Sequence, residues 1–134
     1  MACTYVRSNT VETRAPYWPA GSAGNYCPLM AQIQQSLKSI GWYIGTVDGI
    51  PGSGTAVAIQ RSLRPGTIRG FVESDGAYTG PIDGNLGYNA AVSLQKLAKL
   101  LGGYGGIIDG DPRDNSWGAY RNVLQGWYSA GIRA

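Results

Sequence analysis

Histidine is absent from the 134 residues of this chain. Its absence removes the Ser-His and Cys-His nucleophile pairs and every zinc site that relies on imidazole. Amidase, papain-like and zinc-peptidase chemistry go with them. Glutamate is nearly absent, with only Glu12 and Glu73, each in a segment without clear periodicity. A glycosidase needs two carboxyl groups facing one another across a cleft, which these do not offer. The chain therefore reads as a non-enzyme, with no catalytic residue, cofactor or metal expected. Charge is also scarce: 14% of residues are charged and the net charge is +3. The Lys and Arg residues are scattered, so the basic stripe of a nucleic-acid binder is missing. No apolar run is long enough to cross a bilayer, and no h-region of a signal peptide is visible at the N-terminus. Cysteine is limited to Cys3 and Cys27. The two flank a segment rich in Pro, Gly, Ser and Tyr. A disulfide closing it would contribute roughly 3 kcal/mol in the chain-entropy model, and two reduced thiols are the alternative.

Glycine (21), tyrosine (9) and tryptophan (4) are plentiful. Aromatic residues can fill a core, so the low charge is not a signature of disorder. The length suits one domain, or two small ones tightly fused, and is sufficient for a core without staples.

Residues 1–27 read as an irregular arm, with short extended pieces at Thr4–Arg7 and Thr10–Thr13, and with Pro16, Pro19 and Gly21 breaking anything longer. The pattern turns helical at Pro28. Leu29, Ile33, Leu37 and Ile40 form one apolar stripe, with Pro28 in the first turn and Gly41 at the end. Further helices are expected over about Thr55–Leu63, Asn89–Leu101 and Asn115–Tyr128. Ser53, Asn89 and Asn115 serve as N-caps in this reading. Ala90, Leu94, Leu97 and Leu101 share the stripe of the third helix, and Trp117, Tyr120, Leu124 and Trp127 that of the last. Thr67–Asp75 reads either as a degenerate helix or as a loop with a short extended piece.

The loops between these helices carry one tract three times, Tyr-x-Gly-x-(Val/Ile)-Asp-Gly, at Tyr43–Gly49, Tyr78–Gly84 and Tyr104–Gly110. Ungapped superposition on Asp48, Asp83 and Asp109 also aligns Thr55, Ala90 and Ser116. It places Ile33-Gln34 on Leu94-Gln95, Lys38 on Lys99 and Gly41 on Gly102. The helix Asn89–Leu101 then closes the second repeat and opens the third, as a stacked array requires. In each tract the Asp reads as an Asx-turn residue and the following Gly as a site of positive φ. Three carboxylates in Asp109–Asn115 raise a calcium reading, but Pro112 and Arg113 interrupt the ligand alternation and no closing Glu follows.

These residues resemble the peptidoglycan-binding domain family, a three-helix wall-binding module. The first repeat supplies its pattern with Ile33-Gln34, Leu37, Gly41, Tyr43, Gly45, Val47-Asp48-Gly49, Gly52, Thr55 and Ala58-Ile59. The third follows with Leu94-Gln95, Gly102, Tyr104, Gly106, Ile108-Asp109-Gly110 and Ser116, and departs at Arg113, where the family prefers Gly. The second keeps Tyr78, Gly80, Ile82-Asp83-Gly84 and Gly87 but has a poor opening helix. The resemblance covers Pro28–Tyr128. It implies an all-α fold of fused three-helix repeats over residues 28–134, and non-catalytic recognition of bacterial peptidoglycan outside the cell or at its wall, as in the targeting part of an endolysin or autolysin. A docking module of a virion or surface assembly is the alternative.

The expected ligand-binding residues are aromatic platforms for sugar faces and arginines for stem-peptide carboxylates. Trp42, Tyr88 and Trp117 are the leading platforms, with Tyr43, Tyr104 and Tyr120 beside them. Arg61 and Arg113 are the charge partners, with Arg121 a further candidate. Trp42 is expected to be exposed, so that Trp42→Ala would weaken binding without unfolding the domain.

Overall fold

A computed structural model describes residues 5–7, 17–19, 26–66, 71 and 73–134. Among the described residues from 28 onward the regular structure is helical: α1 (Pro28–Ile40), α2 (Ser53–Ser62), α3 (Tyr88–Leu101) and α4 (Asp114–Ser129), with a 3-10 turn at Glu73–Asp75. In the arm, β1 (Tyr5–Arg7) and β2 (Tyr17–Pro19) pair antiparallel, with Val6 opposite Trp18. The body is thus all-α, as expected, while the arm carries a small ribbon whose second strand was not foreseen. Thr10–Thr13 and Cys3 lie outside the described residues.

Each helix buries the stripe its spacing prescribes. Ile33, Leu37 and Ile40 on α1, and Leu94 and Leu97 on α3, are almost wholly enclosed. Leu101 departs from its expected place and is half exposed at the end of α3. α4 packs against both α1 and α3. It carries the largest core side chains, with Trp117, Tyr120 and Leu124 fully buried. Trp117 meets Tyr120 edge-on at 6.2 Å between ring centroids, and the Tyr120 hydroxyl bonds Ser62 Oγ, tying α4 to α2. After α4 the chain turns at Gly131, and the Ala134 N–H returns to the Ile40 carbonyl at 2.8 Å.

The helix starts correct one expectation. Ser53, Asn89 and Asn115 lie inside the helices, and the cap positions belong to Gly52, Gly87 and Arg113, none with a side-chain cap bond. All three have extended backbone, at φ −130°, −96° and −129°. Any residue adopts that conformation, so Arg113 replaces glycine there without backbone strain. α1 differs: its cap is Cys27, whose Sγ accepts from the Met30 N–H at 3.4 Å. Among the described residues no cysteine is a free thiol.

Candidate functional site

The three tracts form three loops built on one set of hydrogen bonds. In the first, the buried amide of Gln34 on α1 accepts the N–H groups of Asp48 (3.2 Å) and Gly49 (2.8 Å) through Oε1. Its Nε2 donates to Asp48 Oδ1 and to Thr55 Oγ1, at 3.3 and 3.1 Å. Gln95 on α3 does the same for Asp109, Gly110 and Ser116. Each Asp carboxylate also accepts the N–H two residues ahead, from Ile50, Asn85 and Asp111 in turn. These are the Asx-turns read from the sequence. Gly49, Gly84 and Gly110 sit at φ +71°, +79° and +76°, conformations that an L side chain resists.

The tyrosine and the first glycine of each tract explain one another. Tyr43, Tyr78 and Tyr104 each donate their phenol to the carbonyl three residues on, at 2.7 Å. The ring thereby lies over the intervening glycine. A Cβ on Gly45, Gly80 or Gly106 would stand 2.5–2.6 Å from the phenol oxygen, closer than van der Waals contact allows. A basic side chain then clasps the same glycine from the preceding helix. Lys38 Nζ donates to the Gly45 carbonyl at 2.9 Å, and Lys99 Nζ to that of Gly106 at 3.3 Å.

The second loop is where sequence superposition missed a partner. Its clamp is not in Thr67–Asp75 but in α2, where Gln60 accepts the N–H groups of Asp83 and Gly84 and donates to Asp83 Oδ1 and the Asn85 carbonyl. Ala90 offers no hydroxyl at the place of Thr55 and Ser116, while the Asn85 carbonyl accepts from Gln60 as the equivalent Ile50 carbonyl accepts from Gln34 at 3.2 Å. Arg64 stands in for Lys38, reaching the Gly80 carbonyl at 3.4 Å. Gln-to-Tyr spacing is nine residues in the outer loops (34 to 43, 95 to 104) and eighteen here (60 to 78). Within the longer interval the Gly66 N–H bonds the Phe71 carbonyl, and the Phe71 side chain is fully buried. α2 therefore grips the second loop just as α3 grips the third. The Gln60 bond and the Asn85 N–H hold the Asp83 carboxyl below the usual carboxylate range, outweighing a small opposing effect of burial.

Two clefts open beside these loops. Groove one, about 480 Å³, lies between the first loop and α2 and is lined by Trp42, Tyr43, Ile44, Ile50, Val57 and Arg61 among others. Groove three, about 600 Å³, lies between the third loop and α4, and includes Tyr104, Asp114, Asn115, Arg121 and Asn122. Both volumes fall within the roughly 300–1,000 Å³ of small-ligand clefts. No helix among the described residues is long and apolar enough to cross a membrane.

The expected site residues divide sharply. Arg61 is exposed and lines groove one, while Tyr104 is half-buried and lines groove three. Tyr43 is 9% exposed and gives groove one little more than a ring edge. Trp117 and Tyr120 are fully buried and cannot be platforms. Their place on the inner stripe of α4 was legible from the spacing, and it outweighs the site assignment. Trp42 is also corrected: it is 8% exposed and packs edge-on against Trp127. Tyr88 is half-buried with its ring laid against Gly110, so it supports the third loop from α3. Arg113 is exposed at the start of α4 and lines neither groove. Arg121, the further candidate, lines groove three with its guanidinium bonded to Gln32 Oε1 and Asn122 Oδ1. Sequence reasoning did not single out Ile44 and Val57 in groove one, or Gly105, Gly118 and Asn122 in groove three. Following the superposition past the tract into the next helix pairs these positions.

No family model, curated protein or solved structure matches the chain.

Proposed function

We propose that this chain is a non-catalytic binder of bacterial cell-wall peptidoglycan, of the kind that targets an endolysin or autolysin to the wall. The observation that carries the reading is groove one, an open cleft held by a rigid loop that sets an apolar strip beside a cation. Ile44 is 95% exposed and Ile50 38% exposed, and half-buried Val57 completes the strip below Arg61. Stem peptides alternate methyl groups with carboxylates, which suits such a surface. The Gln34 clamp and the Tyr43 phenol hold the loop in place before any ligand arrives, so little ordering cost is left for binding. The tract that builds the loop is also the one whose residue types resemble the wall-binding family.

Sedimentation with purified sacculi tests this reading. Saturable depletion from the supernatant, reversed by muramidase digestion, is the expected result. Arg61→Ala should weaken it by about tenfold, the loss of one charge-assisted contact, with the fold unchanged because Arg61 is exposed. A second reading, a docking module of a virion or surface assembly, is favoured by Leu100, Leu101 and Ile107, which are 50%, 50% and 73% exposed. Depletion by no wall of any species would leave that second reading in place of the first.

A further inference from the structure

We propose that groove three is a separate subsite for the uncharged glycan strand, distinct from the peptide-binding groove one; this rests on the peptidoglycan reading above. The two clefts are built on the same frame, 61 residues apart (Asp48 to Asp109). Groove three is the less apolar of the two. Where groove one has Trp42, Ile44, Val57 and Arg61, groove three has Gly103, Gly105, Gly118 and Asn122. These four exchanges each remove apolar bulk or charge, while Ser53 of groove one gives way to the acidic Asp114.

Gly105 and Gly118 are not demanded by the fold. A Cβ at either would meet nothing within 4 Å, and neither sits at positive φ. Gly118 even weakens α4 relative to alanine. What the two glycines provide is open space and an accessible backbone. The polar walls around that space suit hydroxyl and acetamido groups. Asn115 and Asn122 carry paired donors and acceptors, and half-buried Tyr104 adds an aromatic ring beside them for sugar C–H groups. The Arg121 guanidinium is already bonded to Gln32 and Asn122, and Asp114 would repel a carboxylate. A neutral saccharide therefore fits groove three better than a stem peptide does.

The probe is chitotetraose, a peptide-free β-1,4-linked N-acetylglucosamine oligomer, followed by amide chemical shifts and calorimetry on the whole chain. Shifts should concentrate at Gly103–Gly106 and Gly118–Asn122. Gly105→Ile with Gly118→Val, which copies groove one's side chains into groove three, should weaken chitotetraose at least about tenfold. Arg61→Ala should leave it unchanged. Asn122→Ala, an exposed position, should also weaken it and serves if the double variant does not fold. Shifts confined to groove one, or an undiminished affinity in a folded double variant, would overturn the assignment. Sacculi bound without any binding of chitotetraose would overturn it while leaving the wall reading intact. Binding of neither would remove both.

Discussion

Trp42 meets Trp127 edge-on, ring centroids 6.3 Å apart and planes at 68°, so the first loop is anchored to the far end of α4. Trp42→Ala should therefore act on stability. Emptying a site of this size costs about 3–5 kcal/mol, and the edge-on contact adds to the loss. Guanidinium titration of Trp42→Ala should show a midpoint far below wild type. Trp42→Phe should recover a good part of it. A folded, fully stable Trp42→Ala protein would show that the contact carries no weight.

Gln95→Leu should destabilise the chain by roughly 1–3 kcal/mol. Leucine keeps most of the volume but leaves the N–H groups of Asp109 and Gly110 facing carbon. Gln95→Glu restores acceptors for both amides yet brings a second negative charge against Asp109 Oδ1. Its stability should improve as the pH is lowered, a dependence that Gln95→Leu will not share. Parallel urea titrations at neutral and acid pH read both effects.

Asp83 and Tyr120 link stability to pH in opposite directions. Asp83 is more acidic in the fold than its ordinary value of 3.8, because Gln60 and the Asn85 N–H favour the carboxylate. Its contribution is complete above that value and is lost as the pH falls through the lower folded one. Tyr120 runs the other way. Burial pushes its phenol well above the ordinary 10.0, against a smaller opposing effect of Ser62. The stability linked to it is intact below 10.0 and drains away as the pH rises beyond. Asp83→Asn should flatten the acid limb of a stability–pH curve, and Tyr120→Phe the alkaline limb.

The expected Cys3–Cys27 bridge makes a redox prediction. Thiol titration of the native protein should find no reactive cysteine, and reduction should lower stability by roughly 3 kcal/mol. Cys27→Ser keeps a cap for the Met30 N–H and so separates the bridge from the cap. Two titratable thiols in the untreated protein would refute the bridge.

Much of this was legible because the tract is local chemistry. A tyrosine, two glycines and an aspartate within seven positions dictate one loop wherever they occur. Gln60 was not legible because the extra residues before Tyr78 broke the ungapped register, even though Ile59-Gln60 repeats Ile33-Gln34 at a distance of 26. The exposure of Trp42 was misjudged for a different reason. Its partner lies 85 positions away (42 to 127), near the end of α4 and beyond the positions that the superposition pairs. Trp117 and Tyr120 show the reverse case: their helical spacing already placed them inside, and their chemical suitability for sugars drew them wrongly onto the surface.

On α2, Gln60 faces forward to the second loop while its neighbour Arg61 lines the groove behind. The same helix thus finishes one unit and begins the next. A longer relative of this chain would not need a whole extra domain. An in-frame insertion of one loop and one helix, 26 residues in the shortest interval here (34 to 60, or 83 to 109), would repeat the loop's hydrogen bonds but would have to be fitted into a body whose first and last helices, α1 and α4, pack on one another. The number of units is thereby tied to the contact that closes the body, so a change of length is also a change of core.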